Sequence, residues 1–461
     1  MWRKNQLFKK KETEHYDYPQ LCMIQDSIDH SLFQSYISNE NELIDNQVSI
    51  YIHIPFCKSI CAFCNYYKVV YGKYTEEQIE EFVNAIVTEI QFYASVLPDK
   101  KKKISGVQFG GGTPTLLPAK YLQQIIKTIE TEFDMSECEM YSMEGTMSSL
   151  MENNFERISQ LAEVGINRLS FGVQSFSKLQ RQKNGLVGDI DKFDRLCEVL
   201  RENGINDYNI DLMYNYPNQT PDEVIQDIER AFSNQVTNID LYSLNVYPET
   251  TLYQRYKSRG LWEDYVNPEK ENQYIDIYRY ISANKDIHPI MANVISKKRK
   301  SPQSTLAIQL GNNKDNGGTT IGIGPSSRGN IDRFMYKNTL DMDEYIALVK
   351  EKGYSAIKGN LNSYEEIENR TLVMFPNFGY IKKENAAGIY RHREAIDKLI
   401  ENNILIETEE ELFIEPENLY WNGNIAAMFY SKSQKNKMIK SYFLSRKQKL
   451  NLYNQDKMQI K

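Results

Sequence analysis

The sequence predicts an α/β chain whose larger part is a partial or full (β/α) barrel and whose smaller C-terminal part is a helical domain. Three observations predict it. Six strand-then-helix units follow one another from residue 48, the polar motifs fall at the C-terminal ends of the strands, and the alternation gives way after about residue 250 to a helical pattern over 340–430. A run of such units forms a parallel sheet covered by helices, and the right-handedness of the crossovers lets it curl.

The first strand is "VSIYIHI", a short β-branched and aromatic run, and "TEEQIEEFVNAIVTEIQFYASVL" follows at helical spacing with Thr75 and Gln78 placed as a capping box. "GVQFG" is the second strand, leading into a glycine turn and a helix after Pro118. "EMYSMEG", "INRLSFGV", "YNIDLMY" and "IDLYSLNV" complete the set, with helical stretches near 152–164, 189–203 and 221–234 between them. The segment "VISKKRKSPQSTLAIQLGNNKDNGGTTIGIGPSSRGN" reads as long loops around a strand at Thr319–Ile323. "REAIDKLIENNILIETEEELFIEP" reads as helix, turn and short hairpin. No internal repeat is expected beyond the strand and helix units. The expected division is an N-terminal extension (1–47), a core barrel (48–250), a linker with second-cofactor and substrate region (251–335), the helical domain (336–431) and a basic tail (432–461).

With 41% hydrophobic and 25% charged residues the composition is that of a globular protein, and no apolar run is long enough to span a bilayer. The basic start "MWRKNQLFKKKETEHYDYPQ" is followed by polar residues and does not read as a signal peptide, so the expected location is the cytoplasm. Residues 432–461 carry nine Lys or Arg and one acid, Asp456; this +8 within a net −7 leaves −15 on the rest. So acidic a body argues against general nucleic-acid binding. The tail reads as a solvated terminus or as a contact for an acidic partner.

Cys57, Cys61 and Cys64 stand in a C-x3-C-x2-C pattern within "YIHIPFCKSICAFCNYYKVV". Six cysteines are too few for a disulfide framework in a chain this long, and three in eight residues point to metal or redox chemistry. A cubane with four irons needs four ligands, so three thiolates leave one iron open to a small molecule. Zinc is the alternative and would require His53 as fourth ligand. Cys22, Cys138 and Cys197 read as ordinary buried thiols.

The loop after "Y-x-H-I-P-F", together with "FGGGTPT", "GINRLSFGVQSF", "NIDLMY" and "GIGPSS", resembles the radical S-adenosylmethionine (SAM) superfamily. Within it the ordered set, over roughly residues 48–330, is similar to the oxygen-independent coproporphyrinogen III oxidase-like branch. That branch includes oxidases, HemW heme chaperones, heme-opening methyltransferases and class C methyltransferases. The resemblance implies a barrel of the radical SAM type. It also implies a [4Fe–4S] cluster on Cys57, Cys61 and Cys64, whose open iron binds SAM, with formation of a 5′-deoxyadenosyl radical.

The resemblance also assigns roles to residues. Tyr51 and Phe63 match aromatic groups beside the cofactor, and Gly110 to Thr113, with Gly111, Gly112 and Thr113 at its centre, match the turn that approaches the methionine amino group. Glu144 matches a carboxylate between two SAM molecules and, with Tyr51, is a candidate catalytic residue. Gln174 and Asp211 match polar contacts to the cofactor, Asp211 suiting the ribose hydroxyls. Asn245 and Arg328 fall at contacts to a second SAM. Phe63 reads equally as core, and Glu144, Gln174 and Asp211, each alone, would read as solvated or capping groups.

The implied substrate is a tetrapyrrole or heteroaromatic small molecule, oxidised or modified by C-methylation or methylene transfer, with flavodoxin or ferredoxin as electron donor. A HemW-like heme chaperone is the other function implied. Four departures mark this chain. Gly185 stands where the oxidases have an arginine, with Arg181 or Lys183 as substitutes, and Asn65-Tyr66-Tyr67 replaces their second short cysteine motif. Asn215-Tyr216 replaces a small and aliphatic pair, and Trp421-x-x-Asn424 is closer to the methyltransferase and heme-opening members or is plain core.

Overall fold

In this computed structural model the described residues are 7–8, 26–28, 30–39, 48–64, 66–247, 250–266, 271–297, 319–386 and 388–436. Cys22, His15, Asn65, most of the N-terminal extension, residues 298–318 and the tail beyond 436 lie outside them.

The core alternates as its sequence predicts. It runs β1 (Val48–Ile54), α1 (Glu76–Val96), β2 (Ile104–Gly111), α2 (Ala119–Glu132), β3 (Met140–Thr146), α3 (Glu152–Glu163), β4 (Arg168–Gln174), α4 (Lys178–Asn184), α5 (Phe193–Glu202), β5 (Asp207–Tyr214), α6 (Pro221–Ser233), β6 (Asn238–Ser243) and α7 (Thr251–Ser258). Local chemistry fixes the helix starts. Thr75 and Gln78 form both arms of a capping box at α1, and Thr220 and Glu223 do the same at α6 with Pro221 in the first turn.

β1 to β6 pair in sequence order, all parallel. The sheet continues at both sides. α8 (Glu271–Ala283), β7 (His288–Met291) and β8 (Val294–Ser296) follow the core, and β8 pairs antiparallel with β6. On the other side β9 (Thr319–Ile323) pairs parallel with β1 and begins an antiparallel meander through β10 (Arg328–Ile331), β11 (Phe334–Asn338) and, after helix α9 (Met342–Lys352), β12 (Ala356–Leu361). Thirteen strands make one sheet, ending in Asp26–Ser27 beside β12 and in β7; these edges are not paired with each other, so the barrel is partial.

The meander carries the main sheet past residue 336, the expected start of the C-terminal unit. That unit holds α10 (Tyr364–Phe378), β13 (Tyr380–Lys382), α11 (Arg393–Glu401), β14 (Leu405–Glu407), β15 (Glu411–Ile414) and α12 (Asn422–Met428). The three short strands form their own antiparallel sheet in the order β13–β15–β14, so the unit is mixed where a helical one was expected. The helix, turn and hairpin of 393–414 are as predicted. Among the described residues no helix is long and apolar enough to cross a membrane.

One buried carboxylate ties these parts together. Glu89, on the inner face of α1, is fully buried, and its two oxygens accept from the Gly324 amide (2.9 Å), Tyr345 hydroxyl (2.9 Å), Asn338 amide (3.2 Å) and both the amide and hydroxyl of Ser355 (3.0 Å each). It thereby fixes the "GIGPSS" turn after β9 against the first barrel helix.

Candidate cluster and cofactor site

The cysteine loop is closed at its base and held at its tip. Phe56–Cys57 pairs in parallel with Val69–Val70, and the Val69 amide donates to the Pro55 carbonyl at 2.8 Å. Phe56 is fully buried with its ring centroid 5.3–5.6 Å from those of Phe82, Tyr71 and Tyr74. At the tip the Ala62 carbonyl accepts from the Leu252 amide at 3.0 Å, so α7 lies over the loop. Phe63 packs against a separate apolar cluster of Met213, Tyr216, Leu244, Leu252 and Tyr256. It is half-buried, packed on that cluster from the loop side.

Cys57 is buried, Cys61 and Cys64 are half-buried, and all three are free thiols. The Thr113 hydroxyl lies 3.6 Å from Cys57 Sγ, and Lys68 Nζ donates to the carbonyls of Cys64 (2.9 Å) and Tyr66 (2.8 Å). Burial pushes the Cys57 and Cys61 thiols up, while the Thr113 bond opposes this at Cys57 and Lys68 opposes it at both. Among the described residues no three His, Cys, Asp or Glu side chains converge on a single-ion site. Zinc needs such convergence. A cubane does not, because each thiolate binds a different iron, so the donor set fits an iron–sulfur cluster.

The glycine turn is pressed against this loop from the next strand. The Gly112 amide donates to the Ile54 carbonyl (2.9 Å) and the Thr113 amide to the Phe56 carbonyl (2.7 Å). A Cβ at Gly110 would lie 2.7 Å from the Tyr51 ring and 2.8 Å from Glu144 Oε1, and Gly111 has φ +113° with the His53 ring packed on it. Glycine is thus required by packing inside the protein as well as by any ligand. Tyr51 is the one half-buried residue of β1; its hydroxyl is 3.1 Å from His53 Nδ1. Burial lowers His53 to about 4, and its Nε2 is buried without a hydrogen-bond partner.

On the concave face the half-buried positions of successive strands carry the expected polar groups. Glu144 accepts from the Gly111 amide (3.0 Å) and from Gln108 Nε2 (3.1 Å), and burial holds its carboxyl above the usual range. Gln174 ends β4 at φ +69° where the pairing with β5 shifts register, a bulge that re-aims its side chain. Asp211 is raised well above the usual carboxylate range by burial, then by Asp240 and Glu144. Arg328, exposed at the start of β10, acts electrostatically on both Tyr51 and His53. Asn245 is exposed on the loop after β6, at the rim.

The structure adds one residue that sequence reading missed. Asp240 of β6 stands in register with Asp211, and the tetrapeptide Asn-Ile-Asp-Leu occurs both at 209–212 and at 238–241. That short repeat was the available signal.

The departures also find places. Arg181, named as a substitute for the missing arginine, is buried with its guanidinium on the carbonyls of Val173 (2.7 Å), Ser175 (3.0 Å), Gly188 (3.0 Å) and Val187, so it braces the loop after α4. Lys183 is half-buried. Gly185 ends α4 at φ +67°, and the Arg255 guanidinium occupies the space a side chain would take there. Asn215, at φ +75°, donates to the Ser243 hydroxyl at 3.0 Å, and Tyr216 is fully buried in the cluster that seats Phe63. Tyr66 is largely exposed and faces Glu144, Cys64 and Asp211 electrostatically. Trp421 packs on Phe8 with centroids 5.7 Å apart and lies half-buried against the core. Cys197 is fully buried, its thiol pushed up to about 12, and Cys138 is half-buried, as ordinary thiols are.

A loop of three cysteines at the mouth of a partial (β/α) barrel is the arrangement of a radical SAM domain, and the radical SAM superfamily profile matches residues 51–231. The heme chaperone HemW of Lactococcus lactis is 30% identical over 234 residues, half of this chain and 57% of its own. The oxygen-independent coproporphyrinogen III oxidase of Paracoccus denitrificans is 28% identical over 195 residues, 42% of each chain. The chain thus spans about half the length of these relatives. The solved coproporphyrinogen III oxidase HemN of Escherichia coli, a radical SAM enzyme, shares the fold with TM-score 0.73 and 20% identity over 90% of this chain and 96% of its own. Residues 51–231 thus carry a radical SAM domain, and the chain is similar to HemW and to oxygen-independent coproporphyrinogen III oxidases. The radical SAM match implies a [4Fe–4S] cluster and SAM as cofactors.

Proposed function

We propose that this chain is a radical SAM enzyme acting on a tetrapyrrole or similarly conjugated small molecule, by oxidation or by methyl or methylene transfer. The observation that carries the reading is the cysteine loop held beside a concave face lined by Tyr51, Glu144, Gln174 and Asp211. A [4Fe–4S] cluster bound there would supply one-electron reduction of SAM. Cys57, Cys61 and Cys64 hold the cluster, and the turn 110–113 offers its backbone to the methionine moiety. Glu144 orients that turn through the Gly111 amide and faces the cofactor's positive charge. Asp211 accepts from the ribose hydroxyls, and Gln174, re-aimed by its bulge, completes the polar rim. Phe63 anchors the loop, and Asn245 and Arg328 receive a second SAM at the open side.

Helix α7 holds the tip of the cysteine loop through the Leu252 amide. Residues 48–250 form the catalytic unit, and the regions before and after it shape specificity. A one-electron donor such as flavodoxin or ferredoxin and a cytoplasmic setting suit this chemistry. Under anoxic conditions with dithionite, the cluster-reconstituted protein is expected to form 5′-deoxyadenosine and methionine, and Cys61→Ala to form neither. Absence of 5′-deoxyadenosine from the reconstituted wild type overturns the reading.

The similarity to HemW favours a second reading, delivery of heme without turnover. Of the histidines, His53 is buried, His392 Nε2 is 2.9 Å from Asn369 Oδ1, and His288 is half-buried in β7, away from the cysteine loop in the sheet order. A hemin titration with a saturable Soret shift would support the chaperone; no shift removes it.

A further inference from the structure

Strands β5 and β6 carry the same four residues side by side. Asn209, Ile210, Asp211 and Leu212 face Asn238, Ile239, Asp240 and Leu241, each opposite its twin. The isoleucines and leucines are buried, as strands covered by helices require, and the two aspartates are the half-buried members, on the concave face. Like charges directly opposite on neighbouring strands repel, so such a pair persists when a proton or a cation lies between.

The cation beside this pair is shared with a third carboxylate. Arg168 of β4 acts on Asp240, but its guanidinium is bonded to Asp207 at 2.7 Å. Tyr242 on β6 donates its hydroxyl to Asp240 Oδ2 at 3.2 Å, and the Asn209 side chain bonds to the same carboxylate. β8 sets Val294 opposite Asp240. The charged neighbour of Asp211, apart from Asp240, is Glu144 on β3, and the Tyr66 phenol faces it from the cysteine loop. A second observation points to a ligand at this place. Asn209 is only 2% exposed, yet its Oδ1 has no hydrogen-bond partner, and neither has Asp240 Oδ1. Two buried acceptor oxygens on this patch are thus left without a donor. Burial accordingly raises Asp240 to about 6 and Asp211 well above the usual range.

We propose that Asp211 and Asp240 hold one proton between them in the free protein and release it to solvent when SAM, a cation, enters. This rests on the cofactor reading above. Asp240 acts through Asp211: it is a positioning residue that keeps Asp211 protonated until positive charge arrives, whereupon the ionised Asp211 accepts from the ribose hydroxyls. Binding is then linked to pH. It strengthens as pH rises, by at most about tenfold per pH unit, and levels off above the apparent pKa of the pair.

The test is anoxic isothermal titration of the cluster-loaded protein with SAM between pH 6 and 8, in buffers of different ionisation enthalpy, for the wild type and for Asp240→Asn. The wild type is expected to release about one proton more than Asp240→Asn, any proton lost by the ligand's own amino group being common to both. The affinity of the variant is expected to vary less with pH. Equal proton release and parallel pH profiles in the two proteins, with SAM bound by both, overturn the proposal and leave the cofactor reading standing. Failure of the wild type to bind SAM at all overturns both. If Asp240→Asn fails to fold, Asp240→Ser replaces it, with the same outcomes.

Discussion

Glu144 Oε2 accepts the Gly111 amide at 3.0 Å while Glu144 Oε1 accepts from Gln108 at 3.1 Å, so one carboxylate on β3 sets the conformation of the glycine turn on β2. Hydrogen bonds to charged groups are worth about 1.5–3 kcal/mol, which corresponds to roughly 10–100-fold in a binding constant. Glu144→Ala is expected to weaken SAM binding by that factor with the cluster retained, and Glu144→Gln by less. Equilibrium binding under anoxic conditions with parallel iron determination checks it; unchanged affinity in Glu144→Ala would show that the turn is set without this side chain.

Phe63 is the plug that seats the cysteine loop on the cluster of Met213, Tyr216, Leu244, Leu252 and Tyr256. Phe63→Ala should cost about 1–3 kcal/mol locally and free the loop tip, while the barrel core, which does not include Phe63, stays folded. The expected result is reduced iron per chain after reconstitution with an unchanged far-UV spectrum. Full iron content in the variant would show that the base of the loop suffices.

Removing Glu89 strands buried donors from Gly324, Asn338, Tyr345 and Ser355. Glu89→Ala is expected to destabilise by about 3–5 kcal/mol, seen as a lower denaturant midpoint, because several buried groups lose their acceptor at once. A shift below 1 kcal/mol would mean that water replaces the carboxylate.

Asp227 lies beneath β4, accepting from the Ser175 hydroxyl at 2.8 Å and the Phe176 amide at 3.1 Å, yet burial raises it to about 6. A carboxyl whose folded pKa is raised favours the folded state below its unfolded pKa, and that contribution is lost as pH rises through the folded pKa. The protein is therefore expected to lose on the order of 2 kcal/mol from this group between about pH 4 and 6. Asp227→Asn should flatten that part of the stability profile in denaturant titrations; an unchanged slope would reassign it to other groups.

Much of the barrel was legible because parallel strands buried on both faces read as apolar runs and their helices keep a 3.6-residue period. β1 to β6 and the capping box at Thr75 need no tertiary information. The cysteine loop was legible for a different reason, since its donors come from one short segment. Asp240 was not, because its partner is made by strand pairing: only the register of β6 on β5 turns the repeated Asn-Ile-Asp-Leu into facing carboxylates. Glu89 interrupts the apolar stripe of α1 formed by Phe82, Ile86, Ile90 and Tyr93, but its partners lie more than two hundred residues away. The meander beyond residue 328 joined the main sheet instead of a separate unit because its pairing partner, β9 on β1, is likewise long-range.

The central claim is that Cys57, Cys61 and Cys64 hold a [4Fe–4S] cluster with one iron open to SAM. Electron paramagnetic resonance of the dithionite-reduced, reconstituted protein, recorded with and without SAM, tests it most directly. A [4Fe–4S]⁺ signal is expected whose g-values shift on adding SAM and which is lost in Cys61→Ala. A signal unaffected by SAM, or one retained in Cys61→Ala, would contradict it.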